Sequence, residues 1–443
     1  MNRKVFISVL GTGFYSECVY GTADGRRGTA TRFVQQATLE LLEAEKWSGE
    51  DRVCIVTTQS AKAQNWDASI RERSPRRGEP AVPYTPLEAL LQGMRLKARV
   101  ETLDIPDGKD EDEMWEIFDL LFSYLEDGDE LFFDLTHSFR YLPMLLLVFG
   151  NYAKFLKGVT VRSITYGNFE ARNEDGVAPV VDLLPLTALQ DWTFGVADYL
   201  HNGNIKRLSN LVQQSLRPVL KKAYGKDGNE LMRTSATQLR RTVESLKAVV
   251  EERQTCRGIS VIESRSLATL MDNLEHVEET EELLPALMPM LKKVEVAQSA
   301  FDRKPNVRNA FAAAEWCYEN QQYQAAVTFL EEGVITFFCQ RHGIRLDDEG
   351  RRGLVNSALY FLREPEEYDP LKYSEEDRET IGRLMSDKLL GNRKFQNLYD
   401  DVCKLRNDYN HCGMRSMNQP MQPSKIMDNI GRSIAGMRET LLG

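Results

Sequence analysis

The stretch Glu130-Leu131-Phe132-Phe133-Asp134-Leu135-Thr136-His137-Ser138-Phe139-Arg140 decides how the N-terminal half is read. It opens as a short apolar and aromatic run of strand character, and Ser138 to Leu156 then continues with the length and apolar content of a helix. Where the strand stops, the chain supplies a carboxylate, hydroxyls, an imidazole and a guanidinium within a few residues.

The same alternation extends outward on both sides. Val5 to Leu10 precedes a helical Thr29 to Glu45, Arg52 to Thr57 precedes Pro86 to Lys97, Arg99 to Leu103 precedes Glu111 to Tyr124, and Val159 to Tyr166 follows the quoted stretch. Strands alternating with amphipathic segments predict a parallel sheet covered by helices on both faces. Glu170 to Ala178 reads as a hairpin turn that returns the chain as a last strand, Pro179-Val180-Val181-Asp182-Leu183. After Pro185 the strands stop and apolar residues take helical spacing, as at Leu211, Leu216, Val219 and Leu220, then Leu283, Leu284, Leu287, Leu291 and Val294. The final third predicts helices over Val307 to Asn320, Tyr323 to Arg341, and Glu379 to Asn410 with a break near Gly391. A last helix starts at Ser424 as N-cap and lines Ile426, Met427, Ile430, Ile434, Met437 and Leu441 along one face. The expected fold class is therefore an α/β, Rossmann-like parallel-sheet domain over 1–186, a helical connector or extension over 187–299, and an all-α bundle over 300–443. A chain of 443 residues exceeds the size at which one core stops growing.

Composition narrows the partners. With 56 Lys and Arg against 66 Asp and Glu, the formal charge of -10 argues against coating nucleic acid through an overall field, and no DNA partner is expected. Seven cysteines lie scattered without C-x-x-C pairs, and Met1-Asn2-Arg3-Lys4 runs straight into a strand, which together predict a reduced, cytoplasmic setting. The longest apolar run, Tyr141 to Phe149 with Pro143 inside it, falls short of the roughly 20 residues of a membrane span, so no membrane partner is expected.

Ligands of open parallel sheets bind at the carboxyl ends of strands. The loops there are Gly11-Thr12-Gly13, Thr57-Thr58-Gln59-Ser60 and Thr136-His137-Ser138-Phe139-Arg140. The first departs from the dinucleotide fingerprint because position 16 is serine, so a nicotinamide-binding domain is not expected. On residues alone, Asp134 to His137 fits a capped helix start as well as a binding loop. Trp66 is a loop residue within reach of a ligand, and Arg71 to Arg77 is an exposed loop or a basic rim near the pocket.

Asp134, Thr136, His137 and Arg140 give this half a resemblance to CRISPR-associated Rossmann-fold (CARF) domains, in the group marked by Asp-x-Thr-His-Gly followed by arginine. Ser138 stands here in place of the glycine, and the resemblance takes in the glycine loop and roughly residues 1–186. It implies an allosteric activator, a cyclic oligoadenylate, with cyclic tetra-adenylate ahead of hexa-adenylate, bound where two such domains meet. Gly11, Thr12, Gly13, Thr57, Thr58, Gln59, Thr136, His137, Ser138 and Arg140 are its expected contacts.

Far downstream lies Lys404-Leu405-Arg406-Asn407-Asp408-Tyr409-Asn410-His411-Cys412-Gly413. Its end reads as a helix stop, with Gly413 available for a left-handed cap. Positions five apart on a helix point about 140° from each other, so a symmetric dimer is the arrangement that brings pairs of Arg406 and His411 into one groove. Arginine, asparagine and histidine suit metal-independent RNA cleavage. Histidine, with an ordinary pKa of about 6.5, moves protons near neutral pH, arginine neutralises a phosphorane, and Asn407 orients the chain. No Asp, Glu and His cluster at metal-ligand spacing lies nearby in sequence, and neither a metal nor another cofactor is expected. Arg406, Asn407 and His411 match the motif of HEPN ribonucleases, which this tail resembles, and Ala325 to Phe338, with Glu331 and Glu332, is similar to an earlier helix of such a bundle. Together the two resemblances imply an endoribonuclease of type III CRISPR antiviral defence that cuts single-stranded RNA to 2',3'-cyclic phosphate and 5'-hydroxyl ends, as a homodimer or an assembly of dimers. The alternative is a ligand-sensing regulator or scaffold whose helical part is a non-catalytic interaction domain.

Overall fold

Alternation along β1 (Lys4–Leu10) sets the layers of the N-terminal unit, because successive strand side chains point to opposite faces. Val5, Ile7 and Val9 join Ile117, Leu121, Leu146 and Phe149, from the helices Glu111–Tyr124 and Leu142–Lys157, in one core. Phe6 and Leu10 join Leu39, Leu87 and Leu91, from Val34–Leu41 and Leu87–Gly93, in another. The sheet is thus buried on both sides. A computed structural model describes residues 2–76, 78–137, 142–213, 230–277, 287–414 and 421–442 of the chain, which forms two compact units, Met1–Ala188 and Leu189–Gly443.

The first unit also contains β2 (Val19–Gly21), β3 (Arg52–Thr57), β4 (Glu72–Arg73), β5 (Val82–Pro83), β6 (Arg99–Asp104), β7 (Glu130–Asp134), β8 (Thr160–Gly167) and β9 (Val177–Asp182). Seven of them form one sheet in the order β2-β9-β8-β7-β1-β3-β6, while β4 and β5 make a separate short ribbon. Its pairings are parallel except that of β8 with β9, so the returning strand expected after Glu170 is present as β9. The three-residue edge strand β2 carries no pattern that sequence reading detects. Trp66 departs from expectation too: it ends a π-helical turn over Lys62–Trp66 and lies in the core, because Leu87 and Tyr84 give its indole an apolar seat.

What positions a site is the centre of this order. β1 runs between β7 and β3, with Ser8 beside Asp134 and Leu10 beside Thr57, so the three expected loops leave one edge of the sheet side by side.

The second unit is all-helical in its described residues, with Arg308–Glu319, Tyr323–Arg341 and Arg393–Asn410 close to the expected spans. Asn392 caps the last of these by accepting from the Lys394 and Phe395 amides, which accounts for the break near Gly391. Leu287, Leu291 and Val294 are buried, whereas Leu216, Val219, Leu220, Leu283 and Leu284 lie outside the described residues. One continuous hydrophobic core runs from Trp192 to Met437, so residues from 187–299 and from 300–443 pack together. The C-terminal helix, Pro423–Leu442, begins one residue before Ser424, which is therefore inside it and not its cap. Proline suits a first helical position because its missing N–H would have no partner there. None of the described helices is long and apolar enough to cross a membrane.

Gly167, at the end of β8, is hemmed in by the helix Val34–Leu41 and by β2: a Cβ there would stand 2.7 Å from Val34 Cγ2 and 2.9 Å from Tyr20 Cε1. Gly167→Val is expected to cost about 1–3 kcal/mol through overpacking, read as a lowered urea midpoint at unchanged slope. An unchanged midpoint would contradict this packing.

Candidate functional site

At the carboxyl edge of the first sheet, Asp134 is buried at the end of β7, and burial pushes its carboxyl above the usual carboxylate range. It keeps its partners close. Ser8 Oγ donates to Oδ2 at 2.7 Å, Thr136 Oγ to Oδ1 at 2.6 Å, and the Thr136 amide to Oδ1 at 3.3 Å. The Thr136 hydroxyl in turn accepts from the Gly167 amide at 2.8 Å, so one hydrogen-bonded chain ties β1, β7 and β8 below the loop.

The glycine loop after β1 is clamped from the opposite side. Asn65 Nδ2 donates to the carbonyls of Gly11 (2.7 Å) and Gly13 (2.9 Å). Arg73, on β4, donates to the carbonyls of Thr12 (2.6 Å) and Gly13 (2.9 Å), and its guanidinium also touches Asn65 Oδ1. Arg73 comes from the arginine cluster read as an exposed loop or a basic rim, and its guanidinium is engaged in shaping the glycine loop. The glycines are also explained sterically, since a Cβ on Gly11 would sit 2.6 Å from Tyr15 Oη and 3.3 Å from the His137 carbonyl. Thr57 donates to Asp104 at 2.9 Å, Thr58 caps a short turn by accepting from the Ala61 amide at 3.3 Å, and Gln59 is exposed.

His137 stacks on Tyr15, with ring centroids 3.8 Å apart and planes at 20°. Its Nε2 is buried and has no hydrogen-bond partner among the described residues, and burial lowers its pKa from 6.5 to about 4, so the ring is neutral at pH 7. Ser138 and Arg140 lie outside the described residues. The structure therefore brings Gly11, Thr12, Gly13, Thr136 and His137 to one edge and sets Thr57 and Thr58 into internal bonds. Sequence reading missed Ser8, Tyr15 and Asn65. A cavity of about 730 Å³ lies elsewhere in this unit, between the Thr22–Arg27 turn and β8 and β9, and none of the three loops lines it.

In the second unit Arg406, Asn407 and His411 occupy the last turn of Arg393–Asn410 and its cap. The amides of Cys412 and Gly413 return to the carbonyls of Tyr409 (3.1 Å) and Asp408 (2.9 Å), a complete Schellman closure. Its left-handed residue is Cys412, with φ 52°, one position before the expected Gly413, which also has positive φ at 67°. His411 is exposed at this end. Arg406 turns to the neighbouring helix, where Nε lies 2.9 Å from Oε2 of the buried Glu331, an ion pair without the alignment of a linear hydrogen bond. Burial pushes the Glu331 carboxyl up, Arg406 opposes this, and Glu332 adds to it. Glu331 is a partner that sequence reading left as generic, since nothing in its spacing points to Arg406. Among the described residues no group of three or more His, Cys, Asp or Glu is placed to hold a metal ion.

This chain is similar to CRISPR-associated protein MJ1674 of Methanocaldococcus jannaschii, 26% identical over 241 residues. The match takes in 54% of this chain and 34% of that protein, so the chain spans about a third of the relative's length. No known protein-family profile matches the sequence.

The neutral His137 makes stability depend on pH. Between its folded pKa of about 4 and its ordinary 6.5 the unfolded chain binds the extra proton, so this contribution is complete above 6.5 and is lost as pH falls toward 4. Its size is on the order of 2 kcal/mol after discounting the ring's partial exposure. Subtracting the His137→Gln curve isolates it from Asp134, whose raised pKa contributes the opposite slope, and identical curves would refute it. In the bundle, Arg406→Ala leaves Glu331 buried without its cation and is expected to cost about 1–3 kcal/mol, largely restored in Arg406→Ala/Glu331→Gln, as thermal unfolding of the pair will report.

Proposed function

We propose that this chain is a cyclic-oligoadenylate-activated, metal-independent endoribonuclease of type III CRISPR antiviral defence. The observation that carries the reading is the occurrence, in one chain, of a histidine-bearing loop beside a glycine loop at the carboxyl edge of a parallel sheet, and of Arg406 and His411 at a helix end in an all-helical unit. Similarity to a protein named as CRISPR-associated supports the setting.

In the proposed reaction the 2'-hydroxyl of single-stranded RNA attacks the adjacent phosphorus. The O2'–P bond forms, the P–O5' bond breaks, and the hydroxyl proton passes to a base while the departing O5' takes one from an acid. His411 fills these proton-transfer roles, contributed by two copies of the chain in a homodimer or an assembly of dimers. Arg406 neutralises the phosphorane, and Asn407 orients the RNA backbone by hydrogen bonds. Glu331 acts as a positioning residue, since its carboxylate fixes one side of the Arg406 guanidinium and leaves the other N–H groups for phosphate. Products carry 2',3'-cyclic phosphate and 5'-hydroxyl ends. Activation requires that the ring, cyclic tetra-adenylate first and hexa-adenylate second, bind the cleaving arrangement better than the resting one.

A second reading is favoured by the complete closure at Cys412 and Gly413, which is what a purely structural helix end displays. There the helical unit is an interaction module of a ligand-sensing regulator or scaffold.

Cleavage of a fluorescent single-stranded RNA in EDTA separates the two. Cleavage is expected only with cyclic tetra- or hexa-adenylate present, and His411→Ala is expected to lower it by roughly 100-fold or more. Silence of the folded wild-type chain with both rings would instead select the scaffold.

A further inference from the structure

The cavity of about 730 Å³ between the Thr22–Arg27 turn, the end of the helix Val34–Leu41 and the strands β8 and β9 has no part in the proposed reaction. Its floor follows from the strand register. Thr165 stands opposite Asp182 in the antiparallel pair, and alternation puts Ser163 and Thr165 of β8 and Val180 and Asp182 of β9 on one face of the sheet. That face looks toward the helix, because Val180 packs with Val34, Ala37 and Leu41. Ser163 and Thr165 are small, so the space between the strand and the helix end stays unfilled.

The walls carry two kinds of chemistry. On the floor, Asp182 Oδ1 accepts from the Leu184 amide at 2.9 Å, which fixes the carboxylate and leaves Oδ2 as an acceptor. Thr165 Oγ1 donates to the Phe133 carbonyl at 3.1 Å and keeps its own accepting capacity. On the helix side, Thr38 lines the same cavity at 2% exposure, and its hydroxyl oxygen has no hydrogen-bond partner among the described residues. A buried hydroxyl left in that state is unfavourable until a partner arrives.

At the rim the two arginines differ. Arg26 closes the wall, with Nη1 donating to the Leu41 carbonyl at 2.8 Å and Nε to Asp24 Oδ2 at 3.1 Å. Arg27 Nη2 lies 3.8 Å from Asp175 Oδ2, beyond hydrogen-bonding distance, and both side chains are largely exposed, so its donors stay available. Hydroxyls beside a fixed carboxylate suit a polyol, and a guanidinium with donors to give suits a phosphate. Leu41, Leu42 and Val177 add aliphatic surface for the C–H faces of a sugar. Among the described residues none that lines the cavity is aromatic, so nothing there stacks on a base.

We infer that this cavity is a binding site for a sugar phosphate, with Asp182, Ser163 and Thr165 engaging the sugar hydroxyls and Arg27 the phosphate. The site shares no loop with the sheet edge and stands whether or not the proposed function does.

The test is calorimetric titration of the full chain with ribose 5-phosphate, ribose and inorganic phosphate, in wild type, Arg27→Gln and Asp182→Asn. Wild type is expected to bind ribose 5-phosphate at least about tenfold more tightly than either ribose or inorganic phosphate, because both ends of the ligand are held. Arg27→Gln is expected to weaken ribose 5-phosphate about tenfold, and Asp182→Asn to weaken it similarly while leaving inorganic phosphate unchanged. If Asp182→Asn does not fold, Ser163→Ala takes its place with the same expectation, and Arg27→Gln alters only an exposed side chain. Absence of ribose 5-phosphate binding at millimolar concentration overturns the inference, as does binding no tighter than that of inorganic phosphate. Full affinity retained in Arg27→Gln puts the ligand elsewhere on the chain and overturns it too.

Discussion

A carboxylate buried at the end of a central strand governs the first unit. Asp134 has lost water on all sides, and an unpaired carboxyl in that position would cost more than most single contacts contribute. Its donors must therefore come from fixed places, Ser8 on the adjacent strand and Thr136 in the loop that follows. Once Thr136 is turned inward to serve Asp134, its oxygen is placed to take the Gly167 amide, and β8 is drawn into the same arrangement. The direction in which His137 leaves the strand follows from that. The loop chemistry is thus set by a hydrogen-bonding requirement of the core.

The glycine loop that follows β1 obeys a complementary rule. Its carbonyls are held by Asn65 and Arg73, which are 52 to 61 residues away in sequence, so its shape is imposed from outside the loop. Loops positioned by rigid neighbours carry function without needing stable structure of their own. Asp134 and Asn65 hold the two loops from below and from the side, and Tyr15 and His137 are stacked in the space between.

How much of this was legible in the sequence follows from the range of each signal. β-branched and apolar runs fill whole strands, so β1, β3, β6, β7, β8 and β9 could be read, and helices of three or more turns repeat their pattern often enough to be located. β2 has three residues, too few to show alternation. Tyr15, Asn65 and Glu331 act through partners across the fold, and no local spacing encodes such a partner. Ser424 failed as a cap for a local reason, since Pro423 before it already supplies a good first helical residue. Gly413 was the expected left-handed residue, yet the closure uses Cys412 first, because the 6→1 bond to Asp408 requires the residue before Gly413 to turn.

The end of the bundle differs in kind from the edge of the sheet. Arg406 is about a third exposed and paired, His411 is exposed, and the two lie five positions apart on a helix. Among the described residues neither is enclosed in the way Asp134 is, and the proposed function meets this by having a second copy of the chain and the RNA complete the site. A buried Glu331 fits that arrangement. In that proposal it holds the arginine in place, and its charge offsets part of the desolvation the guanidinium meets when a phosphate binds. The two units thus use buried carboxyl groups differently, Asp134 to tie three strands together and Glu331 to hold a cation on a neighbouring helix.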